Sequence, residues 1–581
     1  MIGVIAATAS GRTAAATLAA AWPGEVRVLP DQHAEGRKPA DALREAWRTC
    51  DAVVSFLAVG ATVRVLAPLL GHKTEDPAVV CVDESMRFAV AVLGGHHGAN
   101  LLARRLTGVL GTQPVITTAS DGAGVSALDS FGRDLGFTVH NPELLAHVGA
   151  AVLSGEPVLI EGADPWPLPA LPPNVSKDAA DAATGILVSD EAEPTCMCHE
   201  GWFGSRLVYR PPSLVVGIGS ARGVTSAEVG ELVDRTLAEA GLAPESVRCV
   251  ATIDLKADEQ GILDAARERG WDVVTYPAEA LAAVDVPNPS EVVQAEVGTP
   301  SVAEASALHA ARVLGRAGEL VAAKSKTANA TCAVARLTPR GRLSIVGLGP
   351  GARDLLTPRA EDALRRAAVI VGLDQYVDQI RDLVRPGTRV VETGLGQEEE
   401  RARAAVEEAA RGNAVALIGS GDAGVYAMAS PALEFADARV DVDGVPGVTA
   451  ALAASNLLGA PLGHDHAYIS LSDLHTPWEV IERRVRAAAE GDFTVCFYNP
   501  RSRARDWQLA AVLKILAEHR PPETPVGFVR NATRRDQTAT LTTLADLDPA
   551  DVDMFTVVLV GSSRSRDVAG RFVTPRGYRW A

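Results

Sequence analysis

The chain is poor in lysine, cysteine and long apolar runs, and each shortage closes off a class of protein. Lysine occurs at seven positions, so 48 of the 55 basic residues are arginine. Seven cysteines, odd in number and scattered over 581 residues, make no disulfide framework and suit a reducing cytoplasm. No run of about 18 apolar residues is free of charged or polar breaks, so no membrane span is expected. The opening Met1-Ile2-Gly3-Val4-Ile5 reads as a strand and not as a basic leader. Positive charge is in deficit, with a formal net charge of −17, which argues against non-specific binding to a nucleic-acid backbone. That balance still leaves room for an anionic small molecule, because a pocket can be basic on an acidic protein.

What remains is an ordinary globular mixture, 47% hydrophobic and 22% charged. It excludes a mainly disordered chain, and the 52 glycines follow no three-residue period, which excludes collagen. The length implies roughly three to five domains. The preference for arginine has a plain reading in base composition and a functional one in carboxylate recognition by the guanidinium fork.

Along the chain an apolar strand, a Gly-rich turn and an Ala/Leu/Arg-rich helix recur, the signature of α/β layers with mostly parallel sheets. Strands are predicted at Ala52–Val59, Val79–Asp83, Arg87–Leu93 and Val115–Thr118, with a helix at Ala99–Leu110. The Pro-rich stretch Asp164–Pro173 predicts extended chain in a small intermediate domain running into a connection. A new unit opens with the strand Ser213–Ile218 and the helix Ser226–Ala240, capped by Ser226 and stopped by Gly241. Strands Val247–Ile253, Asp272–Tyr276 and Cys332–Leu337 and the helix Val302–Leu314 complete it. Residues 338–342 read as a linker. The expected domains are 1–130, 131–212, 213–337 and 343–578.

In the last region the strand Leu343–Val346 leads into Gly347-Leu-Gly349-Pro350-Gly351, with Pro358 suited to a helix start. The turn is not the G-x-G-x-x-G fingerprint, and Pro350 sits inside it, which disfavours a nicotinamide-dependent oxidoreductase. Alone it is a tight turn as readily as a ligand loop. It does not stand alone. Gly419-Ser-Gly421-Asp422-Ala-Gly-Val425-Tyr426 follows the strand Val415–Ile418. Val445-Pro-Gly-Val-Thr449-Ala450 precedes a helix. Tyr468–Trp478, with Ser472 and Asp473, Val495-Cys-Phe497-Tyr498-Asn499-Pro500 and Val529-Arg530-Asn531-Ala532-Thr533 come next.

This ordered series resembles the tetrapyrrole methyltransferase family, and within it the precorrin-3B C(17)-methyltransferase branch. Gly421-Asp422-Ala423-Gly424 and Phe497–Pro500 carry the branch likeness; Ser562 stands where the branch often has Asn. The resemblance implies a two-subdomain α/β fold with S-adenosylmethionine in the cleft between the subdomains. It places Gly349 and Pro350 at the cleft floor and Gly421, Asp422, Val425 and Tyr426 beside the methionine part. Thr449 and Ala450 then bracket the sulfonium, and Phe497, Tyr498, Asn499, Asn531 and Ala532 border the adenosine. Asp422 either favours the cationic cofactor or closes an Asx-type turn, and Tyr426 is a core residue or a stacking wall. A many-acid macrocycle calls for Arg; Arg501 and Arg530, with Ser472 and Asp473, are the substrate-binding candidates. Dimerisation is common in this family and is expected here.

In the first half, Gly94-Gly95-His96-His97-Gly98-Ala99-Asn100 places two histidines between a strand and a helix. Together with Phe56–Ala61, Pro114–Asp121, Val216–Gly223, Thr252–Lys256 and Lys324–Lys326, it resembles the cobalt-precorrin-5A hydrolases. These open a ring lactone and release a two-carbon aldehyde. His97-Gly98 replaces the family's x-Gly-Gly, and Ser220 stands where Cys is frequent. His96 is the candidate acid/base with Glu84 as partner, and Lys324 is a carbonyl-polarising candidate. Cys196, Cys198 and His199 lack the second half-site of a zinc knuckle, so no metal is expected. The sequence thus predicts a corrin-biosynthesis methyltransferase joined to a hydrolase-like module. The altered His-His-Gly-Ala-Asn run keeps open a second reading of that module, as a non-catalytic tetrapyrrole binder.

Overall fold

The structure, a computed structural model, describes residues 1–29, 38–71, 76–95, 98–118, 124–179, 181–193, 205–502 and 505–578. It divides into two compact units. One holds Met1–Asp164, Leu168–Pro339 and Arg385–Gly387; the other holds Pro165–Pro167, Arg340–Val384 and Thr388–Ala581. The α/β reading is borne out throughout.

The first unit contains three sheets. In the first, the strands run in the order Val26–Leu29, Ile2–Ala6, Ala52–Phe56, Ala78–Val82, Phe88–Leu93 and Gln113–Val115. Ile2–Ala6 and Ala78–Val82 are buried at every position, as expected of continuous apolar runs in a sheet covered on both faces; the sheet is parallel except where Ala78–Val82 meets Phe88–Leu93. The run predicted as a strand to Val59 leaves the sheet at Phe56, and Val59–Leu66 is helical. An uninterrupted apolar run carries no period that separates a buried strand from a buried helix. The last strand is Gln113–Val115, paired with Phe88–Val90, three residues before its expected end.

The intermediate region holds a sheet of its own. Its five strands order as Thr138–Val139, Ser205–Arg210, Thr184–Val188, Val158–Glu161 and Val175–Ser176. Arg210 is 1% exposed and donates to the carbonyls of Ser189, Glu191 and Ala192. The third sheet orders Asp272–Tyr276, Val247–Ile253, Leu214–Ser220, Ala330–Thr338 and Ala317–Lys326. Ala317–Lys326 was missing from the sequence reading, because its edge position brings Glu319, Lys324 and Lys326 onto the strand and leaves an apolar run of only Leu320–Ala323. The helix Ser226–Glu239 is capped by Thr225, not Ser226. Thr225 is extended, and its hydroxyl accepts from the Glu228 N–H at 3.2 Å.

The second unit has two main sheets. Five parallel strands order as Arg389–Thr393, Val369–Leu373, Ala414–Gly419, Gly341–Gly347 and Val440–Val445. The other orders His466–Ser470, Thr494–Tyr498, Thr556–Val560, Pro525–Arg530 and Thr538–Thr543, parallel only in its first pair. Pro358 begins a helix as expected, with the Thr357 hydroxyl accepting from Ala360 N at 3.1 Å. Among the described residues no helix is long and apolar enough to cross a membrane.

The capping geometry sets an expected outcome. Thr225→Ala should cost about 1 kcal/mol, read from the denaturation of the first unit, while Ser226→Ala should change it by far less. Equal effects would show that the hydroxyl of Thr225 is not the cap.

Candidate functional site

Gly341–Gly347, Ala414–Gly419 and Val440–Val445 lie side by side and in parallel, with Gly347 opposite Gly419 and Val346 opposite Val445. Their three loops therefore leave together at the carboxyl edge, where open α/β sheets bind ligands. The loops touch backbone to backbone. Gly349 N donates to Gly421 O at 3.0 Å and Gly421 N to Gly349 O at 2.7 Å. Both glycines are left-handed, with φ 74° and 68°, a conformation that costs glycine nothing. A Cβ on Gly347 would stand 2.7 Å from Gly421 O and Gly447 N, and one on Gly447 would be driven into the Gly421 carbonyl oxygen.

Asp422 fastens these loops. Its Oδ1 accepts from Gly424 N at 2.8 Å and its Oδ2 from Gly447 N at 3.0 Å. The Asx-type turn is thus present, and the second oxygen reaches the third loop. Val425 is half-buried behind it. Tyr426 is 52% exposed at φ 52° and donates its hydroxyl to Tyr468 O at 2.7 Å. It is a wall and not core, its ring 5.3 Å from that of Tyr498.

Thr449 precedes the helix Ala450–Leu458 but does not cap it with its side chain. Its hydroxyl lies 2.5 Å from the Tyr498 hydroxyl, which accepts from Ala451 N at 3.0 Å. Burial pushes the Tyr498 phenol well above its ordinary range, with the Thr449 hydroxyl bond acting in the opposite direction. Phe497 is fully buried among Ile469, Val495 and Leu509, so only its backbone is left to border a ligand. Asn499, at φ 50°, donates through Nδ2 to Ser470 Oγ at 3.1 Å.

A fourth loop follows the strand Pro525–Arg530. Asn531 and Thr533 are left-handed, with φ 49° and 63°; for β-branched Thr this is a real outlier of the kind that collects at ligand sites. Ala532 is buried. Thr533 Oγ1 accepts from Ala352 N at 3.1 Å. Arg534 donates from Nε to Pro350 O and from Nη2 to Ser420 Oγ, both at 3.0 Å. This loop of the second sheet thereby grips two loops of the first. Arg534 was not among the sequence candidates; the glycine at position 351, whose Cβ would lie 2.5 Å from Arg534 Cγ, marks its close approach.

The favoured arginines are engaged elsewhere. Arg530 Nε is 2.6 Å from Asp553 Oδ2, and Arg501 donates to the Pro549 and Ala550 carbonyls at 3.2 Å. Asp473 accepts from Gln508 Nε2 at 2.9 Å, and Ser472 N donates to Ser470 Oγ at 3.3 Å.

In the first unit, His96, His97, Cys196, Cys198 and His199 lie outside the described residues. Glu84 accepts from the Thr8 hydroxyl at 3.0 Å, in the hairpin joining Ala78–Val82 to Phe88–Leu93. Lys324 lies on a different sheet, its Nζ donating to Asn288 O at 2.6 Å. Its neighbour Glu304 is fully buried and accepts from Asn288 N, Asn288 Nδ2 and Lys324 N. No hydrogen bond or ion pair joins Glu84 to Lys324 among the described residues.

Residues 342–548 match the family model for Tetrapyrrole (Corrin/Porphyrin) Methylases. A probable cobalt-factor III C(17)-methyltransferase of Salmonella typhimurium is 46% identical over 239 residues, 41% of this chain and 99% of that protein. The chain belongs to the tetrapyrrole methylases. A precorrin-3B C(17)-methyltransferase of a Sinorhizobium species is 40% identical, over 39% of this chain and 91% of that one. Some relatives carry other sequence beside the matched part: the chain spans 46% of a cobalt-factor III methyltransferase of Priestia megaterium, at 40% identity over 41% of this chain. Ahead of the methylase, residues 41–121 and 214–335 match the models Cobalamin synthesis G N-terminal and Cobalamin synthesis G C-terminus. The chain therefore joins a part like cobalamin synthesis protein G to a methylase, as its motifs implied.

Two outcomes follow for the methylase unit. Gly447→Ala should lower its thermal midpoint by several degrees, because the added carbon meets rigid backbone. Gly419→Ala, with nothing nearer than 3.8 Å to the new carbon, should leave the midpoint within a degree or two. The raised Tyr498 phenol contributes stability that is complete below about pH 10, where an unfolded phenol stays neutral. That contribution is lost as pH rises further, so a Tyr498→Phe variant should show a shallower alkaline decline in denaturation midpoint than the parent.

Proposed function

We propose that the methylase unit transfers a methyl group from S-adenosylmethionine to C-17 of precorrin-3B, or of its cobalt-containing counterpart, with contraction of the ring. The observation that supports this most is the set of glycine loops at the carboxyl edge of three adjacent strands, closed by the Arg534 loop.

The residues present fit such a cofactor. The directions a side chain would take from Gly419 and Gly421 meet only ordinary contacts, at 3.6 Å and beyond, so the loop floor is bare backbone without a steric clash. The carboxylate of Asp422 uses one backbone donor on each oxygen, which leaves lone pairs for a cationic neighbour. Gly349, Pro350, Gly421, Asp422 and Val425 would hold the methionine end, with Thr449 and Ala450 next to the sulfonium. Tyr426, Tyr498, Asn499, Asn531, Ala532 and the backbone of Phe497 would border the adenosine. When bound, the cofactor supplies an electrophilic methyl group with a built-in leaving group. The chain's own contribution is then to position the ring carbon, exclude water and set the local charge. No side-chain nucleophile is required.

For the first unit we propose a lactone-opening activity with release of acetaldehyde, with His96, Glu84 and Lys324 as candidates. The internal engagement of Glu84 and Lys324 on separate sheets favours the second reading, a tetrapyrrole-binding module without catalysis. We further propose a cytoplasmic location and a homodimer formed through the methylase.

One pair of assays tests both parts. The purified chain with S-adenosylmethionine and precorrin-3B, with and without cobalt, should yield a product heavier by one methyl group. A chain that methylates neither form would overturn the proposal. Acetaldehyde released from the lactone substrate by the same chain supports the hydrolase; its absence, with methylation intact, supports the binding module.

A further inference from the structure

The Arg534 guanidinium spans two glycine loops, yet every acceptor it has is neutral. They are the Pro350 carbonyl and the Ser420 hydroxyl. No carboxylate of a described residue lies within 4 Å of it. The arginines around it are used otherwise: Arg530 is matched by Asp553, Arg353 by Asp382 and Arg359 by Asp443. Arg534 is also half-buried, which raises the cost of an unmatched charge. A second cation stands nearby. Arg401 is 4% exposed and is satisfied by Thr393 Oγ1, Gly394 O and the Met428 sulfur, again without an acid. Tyr376 is within electrostatic reach of both: burial pushes its phenol up, Arg534 and Arg401 act against that rise, and Glu398 adds to it. Two guanidiniums that no described carboxylate pairs thus act on Tyr376, in a chain whose net charge is −17.

We infer that Arg534 receives a carboxylate of the ligand and is the specificity-determining charge of this cleft. The inference rests on the methylase reading above. Nε and one Nη are spent on the loops, which fixes the plane of the fork. The remaining N–H groups are then directed by a preorganised frame, the arrangement in which a charge-assisted bond gains most. Two carboxylates have this chemistry: that of the cofactor's amino-acid end and those on the rim of the macrocycle. Loss of the bond should weaken binding of the ligand that supplies it by about ten-fold or more.

Calorimetric titration of the full chain separates the sources. The probes are S-adenosylhomocysteine, its decarboxylated analogue and uroporphyrin, a tetrapyrrole bearing eight carboxylates, each measured with wild type, Arg534→Met and Arg534→Lys. Weaker binding of S-adenosylhomocysteine to Arg534→Met, with the decarboxylated analogue unaffected and partial recovery in Arg534→Lys, supports the inference and assigns the cofactor's carboxylate. Weaker binding of uroporphyrin alone, again partly recovered by Lys, supports it and assigns the macrocycle. Unchanged affinities in Arg534→Met, or equal losses for S-adenosylhomocysteine and the decarboxylated analogue, overturn it and leave the methylase reading standing. A wild-type chain that binds neither S-adenosylhomocysteine nor uroporphyrin overturns both. If Arg534→Met does not fold, the comparison of Arg534→Lys with wild type on the same three probes decides alone.

Discussion

Contact between bare backbones is the constraint on which the methylase unit depends. Three loops converge at Gly347, Gly421 and Gly447 with no side chain between them, and Gly349 and Gly421 exchange two hydrogen bonds. Asp422 ties the second loop to the third through Gly447 N. Peptide groups packed this closely present fixed dipoles that need no rearrangement when a charged ligand arrives. The parallel register behind them, Gly347 beside Gly419 and Val346 beside Val445, delivers the loops to one level. Everything else in the cleft is hung from that frame: the Tyr498 hydroxyl that organises Thr449 and Ala451, and the left-handed turns at Asn499, Asn531 and Thr533.

Much of this was legible in the residues. Val247–Ile253, Asp272–Tyr276 and Val302–Leu314 coincide with the structure residue for residue, the strands rich in β-branched residues and the helix bounded by Ser301 and Gly315. Glycine loops between strand and helix announce their place in the sequence itself. The misses have physical causes. Ala317–Lys326 is an edge strand, and edges carry the charge that hides a strand from a hydrophobicity pattern. Ser226 and Thr225 are both competent caps, and only backbone dihedrals choose between them. Long-range partners are invisible to spacing: nothing in one dimension says that Arg530 faces Asp553 while Arg534 reaches back across 184 positions to Pro350.

The abundance of arginine acquires content from these partners. Most of the arginines named here close ion pairs or hold backbone carbonyls, as Arg210 does in the first unit and Arg520 does for Phe493 in the second. A guanidinium can satisfy several carbonyls at once without losing its charge, so the chain uses it as a rivet as often as a receptor. The functional reading of the composition, carboxylate recognition, therefore covers few of these arginines.

The order of strands in the second sheet of the methylase has a bearing on how the protein is made. Thr556–Val560 is the middle strand, bonded to Thr494–Tyr498 on one side and Pro525–Arg530 on the other. During synthesis the five-stranded parallel sheet has all of its pieces once Val445 has emerged. Its companion has a gap at its centre until Val560 follows. A nascent chain held between those two points would display two half-sheets with open edges, the state in which strands are most exposed to pairing with a neighbour.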